Sequence, residues 1–393
     1  MMKSISFLLG AGFSAPLGYP IGEELNQQLK EFSSLKMSVS SEGKLCYVAK
    51  DQNNNLFINS QTKYLKCCIK LIEEYSKNNC FDYEEFYDFI VQKNYLESSA
   101  YVEICKSFTT DIITLDDISS NLENIYNQMV VYLLKDRNNV CWYDNIPHNS
   151  GSIDEYDGFL NLLKNWRKDR TIHVHTLNHD MLFESFNQTD YLSGEISDGF
   201  DELGSDYYGV LRTKEDRAFH VRLETFTGRY NSKIRLYKLH GSLDYVLYYK
   251  TLEDGLTHVP DKYIKTRYGI GYDSILRDTH NGDAYERYPF AYHANFLTGC
   301  TSKICKYQDP LMFKHLFDYF KSNLRKSEKL IIIGYGCKDS GINDMILNYF
   351  HGNRIYFVDP YCKENSQVIK FARKVNAKIV RTTISNLTED DFL

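Results

Sequence analysis

The chain has 393 residues, a formal net charge of −6 and 43% hydrophobic residues, so it is long enough and apolar enough to bury a sizeable core. A negative charge balance without any run of Lys or Arg argues against non-specific nucleic-acid binding, which needs a concentrated basic face. The length fits two or three domains, or one α/β domain that carries large insertions.

The N-terminus and the cysteines indicate a cytoplasmic protein. One Lys precedes an apolar run that is too short for a signal peptide and continues into a glycine loop. The longest later apolar stretch, residues 330–334, cannot span a bilayer, so no membrane association is expected. The ten cysteines are scattered and form no CxxC pair, which favours reduced thiols over a disulfide framework. A zinc ribbon needs two closely spaced pairs, so we expect no zinc ribbon and no other metal site.

The first predicted element is a buried strand at residues 5–9, followed by a glycine loop and a helix at residues 23–32. Gly10 and Gly12 permit a close backbone approach, and such a loop before a helix suits a pyrophosphate. The third glycine, Gly18, comes six residues after Gly12, so the spacing departs from GxGxxG. On this loop alone, a tight structural turn explains the glycines as well as nucleotide binding does.

Two long stretches interrupt the alternating pattern. Residues 56–135 carry apolar side chains at helical spacing and no strand-like alternation, which predicts a helical insertion that we place at residues 56–150. Residues 246–310 are rich in Tyr and polar groups, and we treat them as a second insertion of unassigned structure.

Two central strands are predicted to end in polar side chains. Residues 171–176 alternate like a strand and lead to Asn178 and Asp180, and residues 234–239 form a strand that leads to His240. An amide at a strand end can hold ribose hydroxyls or position a water, and an imidazole can act as a general base near neutral pH. The alternatives are a turn asparagine, with Asp180 as the helix cap, and a hydrogen-bonded core histidine.

Three histidines raise the question of a metal site. His173 and His175 point to one face of their predicted strand, and His179 lies beyond its end. No carboxylate lies at a diagnostic spacing and no HExxH motif occurs, so the pattern disfavours a metal.

The C-terminal part alternates between strands and helices. Strands are predicted at residues 330–333, 355–358 and 377–380, with helices at residues 343–350 and 367–375. This alternation predicts an α/β fold with a doubly wound, Rossmann-like parallel sheet and helices on both faces. Each polar or glycine-rich loop follows a strand, where such sheets bind their ligands.

Taken together and in order, five short motifs resemble those of the sirtuin-like family. They are Gly10-Ala-Gly-Phe-Ser14, Thr176-Leu-Asn-His-Asp180, Lys238-Leu-His-Gly-Ser-Leu243, Gly334-Tyr-Gly336 and Val358-Asp359. The resemblance implies that residues 1–393 form a sirtuin-like NAD-binding domain that contains both insertions. It also implies that Asn178 and His240 are catalytic. The cofactor-binding residues that it implies are Gly10, Ala11, Gly12, Phe13, Ser14, Gly18, Pro20, Thr176, Leu177, Asp180, Gly334, Tyr335, Gly336 and Asp359.

The sequence departs from deacylating sirtuins in two respects. Their first loop continues into Asp-Phe-Arg, whereas here Pro20 is followed by Ile21 and Gly22, and the cysteine pairs of their zinc ribbon are missing. The pattern is more similar to the bacterial sirtuin-like NADases of antiphage defence. The chain ends soon after the last predicted strand, so we expect any partner module to be a separate protein. Such a stand-alone chain resembles the subunit that assembles with a HerA-type ATPase.

The resemblance therefore implies an NAD glycohydrolase that forms a homo-oligomer and has an ATPase partner. Three alternatives stay open: a non-catalytic NAD or ADP-ribose sensor, a protein deacylase, and a dehydrogenase. The missing zinc cysteines argue against the deacylase, and the missing GxGxxG spacing argues against the dehydrogenase.

Overall fold

The computed structural model describes residues 3–34, 37–39, 45–47, 60–134, 153–212, 217–266, 270, 275, 278–279, 286–289, 294–296, 299 and 306–393. The chain divides into two compact units. Unit 1 comprises Met1–Tyr19, Asp136–Phe290 and Lys306–Leu393, and unit 2 comprises Pro20–Lys135 and Ala291–Cys305.

Strands and helices are numbered in chain order within the described residues. The strands are β1 (Lys3–Leu9), β2 (Met37–Val39), β3 (Leu45–Tyr47), β4 (Arg170–Thr176), β5 (Ile196–Ser197), β6 (Gly199–Asp201), β7 (Tyr208–Arg212), β8 (Ala218–Arg222), β9 (Glu224–Arg229), β10 (Ile234–Lys238), β11 (Tyr245–Thr251), β12 (His258–Lys265), β13 (Asp278–Thr279), β14 (Glu286–Pro289), β15 (Lys329–Ile333), β16 (Arg354–Val358) and β17 (Lys378–Val380). The helices are α1 (Ala11–Ser14), α2 (Gly22–Lys30), α3 (Ser60–Asn78), α4 (Tyr83–Val91), α5 (Ser99–Lys106), α6 (Leu115–Leu134), α7 (Asp157–Trp166), α8 (Leu182–Ser185), α9 (Phe313–Lys326), α10 (Ser340–Tyr349) and α11 (Gln367–Lys374).

Unit 1 is built on a seven-stranded parallel sheet. The strand order is β17-β16-β15-β1-β4-β10-β5, and each neighbouring pair is parallel. If the short edge strand β5 is left aside, this is the order 3-2-1-4-5-6 of dinucleotide-binding folds. The order reverses between β1 and β15, so the crevice for a ligand is expected at the carboxyl ends of these two strands. The predicted α/β class with a doubly wound parallel sheet is confirmed.

Both faces of this sheet are covered, as a parallel sheet requires. On one face, Phe7 of β1 packs edge-on against Phe159 of α7, with ring centroids 5.5 Å apart. On the other face, His175 of β4 lies against Phe320 of α9, with ring centroids 4.7 Å apart. Burying each aromatic ring contributes about 1.5–3 kcal/mol, which fixes the sheet between the two helices. Among the helices of the described residues, none is long and apolar enough to cross a membrane.

Unit 2 contains helices α2 to α6 and the short β2–β3 hairpin. Its longest helix, α6, buries a continuous stripe at helical spacing that includes Ile118, Leu122 and Ile125. Ring contacts between α4 and α6, such as that of Phe86 with Tyr126 at 5.4 Å, close the core of this unit. The unit begins at Pro20, upstream of the residues 56–150 to which the sequence pattern assigns a helical insertion.

A second sheet in unit 1 has no counterpart in the sequence analysis. It is antiparallel, with the order β13-β14-β11-β12-β9-β6, and part of it lies in residues 246–310. Its core includes Tyr207, Val246, Tyr248 and Ile264. Strand β11 reads Tyr-Val-Leu-Tyr-Tyr-Lys-Thr, in which Tyr occupies positions on both faces, so the apolar alternation that marks a strand is absent.

The carboxyl ends of β1 and β15 approach so closely that glycine is required at three positions. Gly12 N donates to Gly334 O at 3.0 Å, and a Cβ on Gly12 would lie 2.8 Å from Gly334 Cα. A Cβ on Gly10 would lie 2.7 Å from Gly334 O, and Gly334 itself has φ +67°. These glycines therefore serve backbone packing between two loops.

We expect Gly334→Ala to lower the free energy of unfolding by roughly 2–5 kcal/mol, the sum of left-handed strain and overpacking. The added Cβ would lie 2.2 Å from Phe13 N. The matched control is Gly204→Ala, which has φ +79° and no atom within 4 Å of the new Cβ, so it incurs the strain alone. Urea unfolding of both variants measures the difference. Equal losses would show that the close approach is not a constraint.

Candidate functional site

The loop that follows β1, residues 10–14, is anchored to the hydrophobic core through Phe13. Phe13 N donates to Gly10 O at 2.8 Å, and the Phe13 ring is buried against Tyr156 with ring centroids 5.2 Å apart. The Tyr156 hydroxyl donates to Phe13 O at 2.5 Å, and Ala11 stays exposed. Gly18 ends the following 3-10 turn with φ +80°. The Phe13 side chain is thus an anchor of the loop, and Ala11 is the member of this motif that faces solvent.

Asn178 is clamped to this loop by its side-chain amide. Its Nδ2 group donates to Gly10 O at 3.0 Å and to Ser14 Oγ at 2.9 Å. Its backbone N–H donates to Thr176 Oγ1 at 3.0 Å, and Leu177 N donates to Leu9 O at 2.9 Å. Because both amide hydrogens are bonded to protein acceptors, the Asn178 side chain has one orientation. In that orientation, Oδ1 is the atom that can accept a hydrogen bond from a ligand hydroxyl. Thr176 positions the asparagine.

Asp180 lies just before the short helix α8, whose N-cap is Met181, so the interpretation of Asp180 as the helix cap is wrong. Its Oδ1 accepts from Leu182 N at 3.0 Å, and the side chain is buried. Burial raises the pKa of Asp180, while the Lys238 ammonium and a hydrogen bond from Ser14 oppose the rise. The buried Asp180 carboxylate therefore stabilises the loop that follows β4.

A buried ion pair joins helix α8, which follows β4, to the end of β10. Lys238 Nζ lies 2.9 Å from Glu184 Oε1, with side-chain exposures of 1% and 6%. The same ammonium donates to the carbonyl oxygens of Asp180 and His179. Burial also raises the pKa of Asp244 to about 6, and the Lys265 ammonium opposes that rise. These charges stabilise one another within a low-dielectric interior and fix the two loops in register.

His240 follows β10 in a tight turn. Gly241 has φ +81° and its N–H donates to Lys238 O at 3.1 Å, so the chain reverses just after the histidine. The imidazole is 5% exposed, and its Nε2 lies 3.4 Å from Asp339 Oδ2. The ring centroids of Tyr307 and His179 lie 6.5 Å and 6.3 Å from the centroid of the His240 ring.

Asp339 reaches His240 because the loop after β15 curls back. Cys337 has φ +58°, and Asn343 Nδ2 donates to its carbonyl oxygen at 2.9 Å. The Tyr335 hydroxyl donates to Asp339 O at 3.0 Å. Asp339 Oδ1 accepts from Ile342 N at 3.1 Å, which makes Asp339 the N-cap of α10.

Asp339 is not among the site residues that the sequence predicts. An acidic residue just before a helical pattern is a cap signal, so the cap could have been found, but its contact with a distant histidine could not.

Four loops of the parallel sheet are thus joined in one continuous set of contacts. Asn178 bonds to the Gly10 loop, that loop bonds to Gly334, and the loop after Gly334 brings Asp339 to His240. Asn178 and His240, the two residues that the resemblance implies to be catalytic, both belong to this set of contacts. So do Gly10, Gly12, Ser14, Thr176, Gly334 and Tyr335. Gly336 is exposed in the same loop, and a Cβ there would meet no atom within 4 Å.

Asp359 and Pro20 are two further residues that the resemblance implies to bind the cofactor. Asp359 follows β16, and its Oδ1 accepts from Tyr361 N at 2.9 Å, which forms a turn at that strand end. Tyr361 is 83% exposed beside it. Pro20 is the first residue of unit 2.

His173 and His175 lie within the core and away from these loops. Burial and the nearby Arg235 and Lys326 lower the pKa of His173 to about 3, and burial lowers that of His175 far below its usual range. His175 stacks on Tyr237 with centroids 4.7 Å apart. Within the described part of the chain, no group of three or more His, Cys, Asp or Glu side chains is arranged to hold a metal.

Comparison with known proteins gives a distant likeness only. No family model matches the chain, and no curated protein matches it. Among solved structures, it is similar to one described as the structural basis for the mechanism and regulation of Sir2 enzymes, with 11% identity and a TM-score of 0.34, over 98% of this chain and 89% of that chain. It is also similar to a Sir2 homologue–NAD complex, with 10% identity and a TM-score of 0.35, over 98% of this chain and 86% of that chain. At these values, the assignment of the fold rests on the strand order alone.

Lys238→Met should lower the free energy of unfolding by about 3–5 kcal/mol, because Glu184 is then buried without its counter-charge. The double variant Lys238→Met/Glu184→Leu should recover most of that loss. Lys314→Met is the control, since its ion pair with Asp318 is half-exposed and should contribute about 0.3–0.5 kcal/mol. Urea unfolding measures all three. A loss below about 1 kcal/mol in the single variant would mean that the pair does not hold the loops.

Proposed function

We propose that the chain binds NAD across the switch point of its parallel sheet and hydrolyses the nicotinamide–ribose bond to nicotinamide and ADP-ribose. The observation that carries the proposal is the meeting of four strand-end loops there, with Asn178 clamped to the Gly10 loop and His240 in the same set of contacts. Doubly wound sheets with this strand order bind dinucleotides at that crevice. Four of the five sirtuin-like motifs occupy these same loops.

The reaction needs little from the protein beyond positioning and one base. Nicotinamide is cationic in NAD, so it departs as a neutral molecule and requires no general acid. The sugar passes through an oxocarbenium-like transition state. Asn178 Oδ1 would accept a hydrogen bond from a ribose hydroxyl, and His240 would take a proton from a ribose hydroxyl or from the attacking water.

A binding-only role is the second candidate. Both Nδ2 hydrogens of Asn178 are engaged by Gly10 and Ser14, and such contacts alone suffice to shape a nucleotide pocket. In that case the chain would be an NAD or ADP-ribose sensor, and the assays below separate it from an enzyme.

The resemblance of the five motifs further supports a role in antiphage defence, where the enzyme would deplete NAD. With that role we propose a homo-oligomer and a HerA-type ATPase as a separate partner. Light scattering at micromolar concentration that reports a monomer would count against the homo-oligomer. Co-purification with a HerA-type ATPase tests the proposed partner, and failure to co-purify would count against it.

Asn178→Ala and His240→Ala should each reduce NAD cleavage by about 10²- to 10⁴-fold, the usual cost of losing a general base or an orienting group. Nicotinamide release and melting temperature should be measured on the same preparations, because His240 is buried and its loss can also destabilise. His220→Ala, on the exposed strand β8, is the control and should keep full activity. Full activity in a folded Asn178 or His240 variant excludes a catalytic role for that residue. NAD binding without cleavage by the unmodified chain would favour the sensor.

Gly336→Val should weaken NAD binding tenfold or more, with Gly336→Ala intermediate and both melting temperatures unchanged. A Cβ at this position meets no protein atom within 4 Å, so we expect the added side chain to interfere with a ligand that passes over the loop. Gly12→Val is less informative, because its Cβ would collide with Gly334. Calorimetric titration with NAD measures the affinity, and an unchanged value in Gly336→Val would show that the diphosphate does not cross this loop.

A further inference from the structure

The imidazole of His240 has two nitrogens in different environments. Nε2 is shielded from solvent and has no hydrogen-bond partner within the described residues, and the Asp339 carboxylate oxygen lies 3.4 Å from it. A nitrogen buried in this way is not the one that a substrate reaches. A carboxylate can only accept, so the partner that it favours at Nε2 is an N–H.

The position of Asp339 is fixed by contacts that do not involve His240. Asp339 Oδ1 is held by the backbone N–H of Ile342, and the Asp339 carbonyl is held by the Tyr335 hydroxyl. The Tyr307 hydroxyl lies 3.4 Å from Oδ2, the same oxygen that faces His240. The carboxylate therefore has one oxygen committed to the helix cap and the other directed at the imidazole.

We infer that Asp339 is a positioning residue for His240: it accepts the Nε2–H of the imidazole and so leaves Nδ1 as the nitrogen that takes the proton during NAD cleavage. At 3.4 Å the contact is not a hydrogen bond in this structure, and catalytic hydrogen bonds often align and shorten only when the substrate is bound. The inference rests on the proposed function for its catalytic part, and on the geometry alone for the tautomer.

A helix cap and a positioning residue predict different results for Asp339→Asn. The amide oxygen can still accept from Ile342 N, so the cap persists. The amide NH₂ group, however, would face Nε2 and donate to it, which favours the tautomer with the proton on Nδ1. That tautomer has no lone pair on the nitrogen that the substrate reaches.

The test reads the tautomer and the activity separately on the full chain. In ¹⁵N-histidine-labelled protein, the His240 ring signals are assigned by their loss in His240→Gln. We expect a proton on Nε2 in the unmodified chain and on Nδ1 in Asp339→Asn. In nicotinamide-release assays, Asp339→Asn should lower kcat about 100-fold with KM changed less than threefold. Asp254→Asn is the control, because this exposed carboxylate also accepts backbone N–H bonds, from Leu256 and Thr257, and should leave both readouts unchanged.

The results distinguish a failure of the inference about Asp339 from a failure of the proposed function. A proton on Nδ1 in the unmodified chain, or full kcat in folded Asp339→Asn, overturns the inference. An unmodified chain that releases no nicotinamide overturns the proposed function, while the tautomer still decides the role of Asp339. Should Asp339→Asn fail to fold, Asp339→Ser keeps a capping oxygen without the carboxylate, and wild-type kcat in that variant would equally overturn the inference.

Discussion

The close approach of the Gly10 loop to Gly334 is the constraint on which the candidate site depends. The two strand ends pack backbone against backbone, with Gly12 N bonded to Gly334 O at 3.0 Å. This contact lies where the strand order reverses, so it closes the floor of the crevice in which a doubly wound sheet binds its ligand. Gly10 O is then presented to Asn178, and the chain after Gly334 is directed back toward His240.

The other half of the site is fixed by buried charge. The Lys238 ammonium contacts Glu184 and the carbonyl oxygens of the loop after β4, while its own strand carries His240. A buried ion pair contributes little net stability compared with apolar packing, but it is costly to break. An interaction of this kind suits a strand end whose loops must keep one register, because alternative registers would leave a charge uncompensated.

The sequence predicted the elements whose pattern is local. The strands of the parallel sheet are short apolar or alternating segments that end at glycine or a polar residue, and this local pattern predicts β1, β4, β10, β15, β16 and β17. The antiparallel sheet was missed because strands such as β11 carry Tyr on both faces, so burial leaves no alternation in the sequence. Asp339 was missed as a neighbour of His240 because that contact depends on the left-handed backbone at Cys337, which no local pattern signals.

The glycines of the first loop show why a motif and its role have to be separated. In the sequence, Gly10 and Gly12 are typical of a loop that lets a pyrophosphate approach. In the structure, the space that a Cβ would fill at each of them is already occupied by Gly334 and Tyr335. Fold and site therefore share the same atoms, and any substitution there perturbs both at once. At Gly336, in the same set of loops, a Cβ meets no protein atom within 4 Å, so a substitution there can change ligand binding without a collision within the fold.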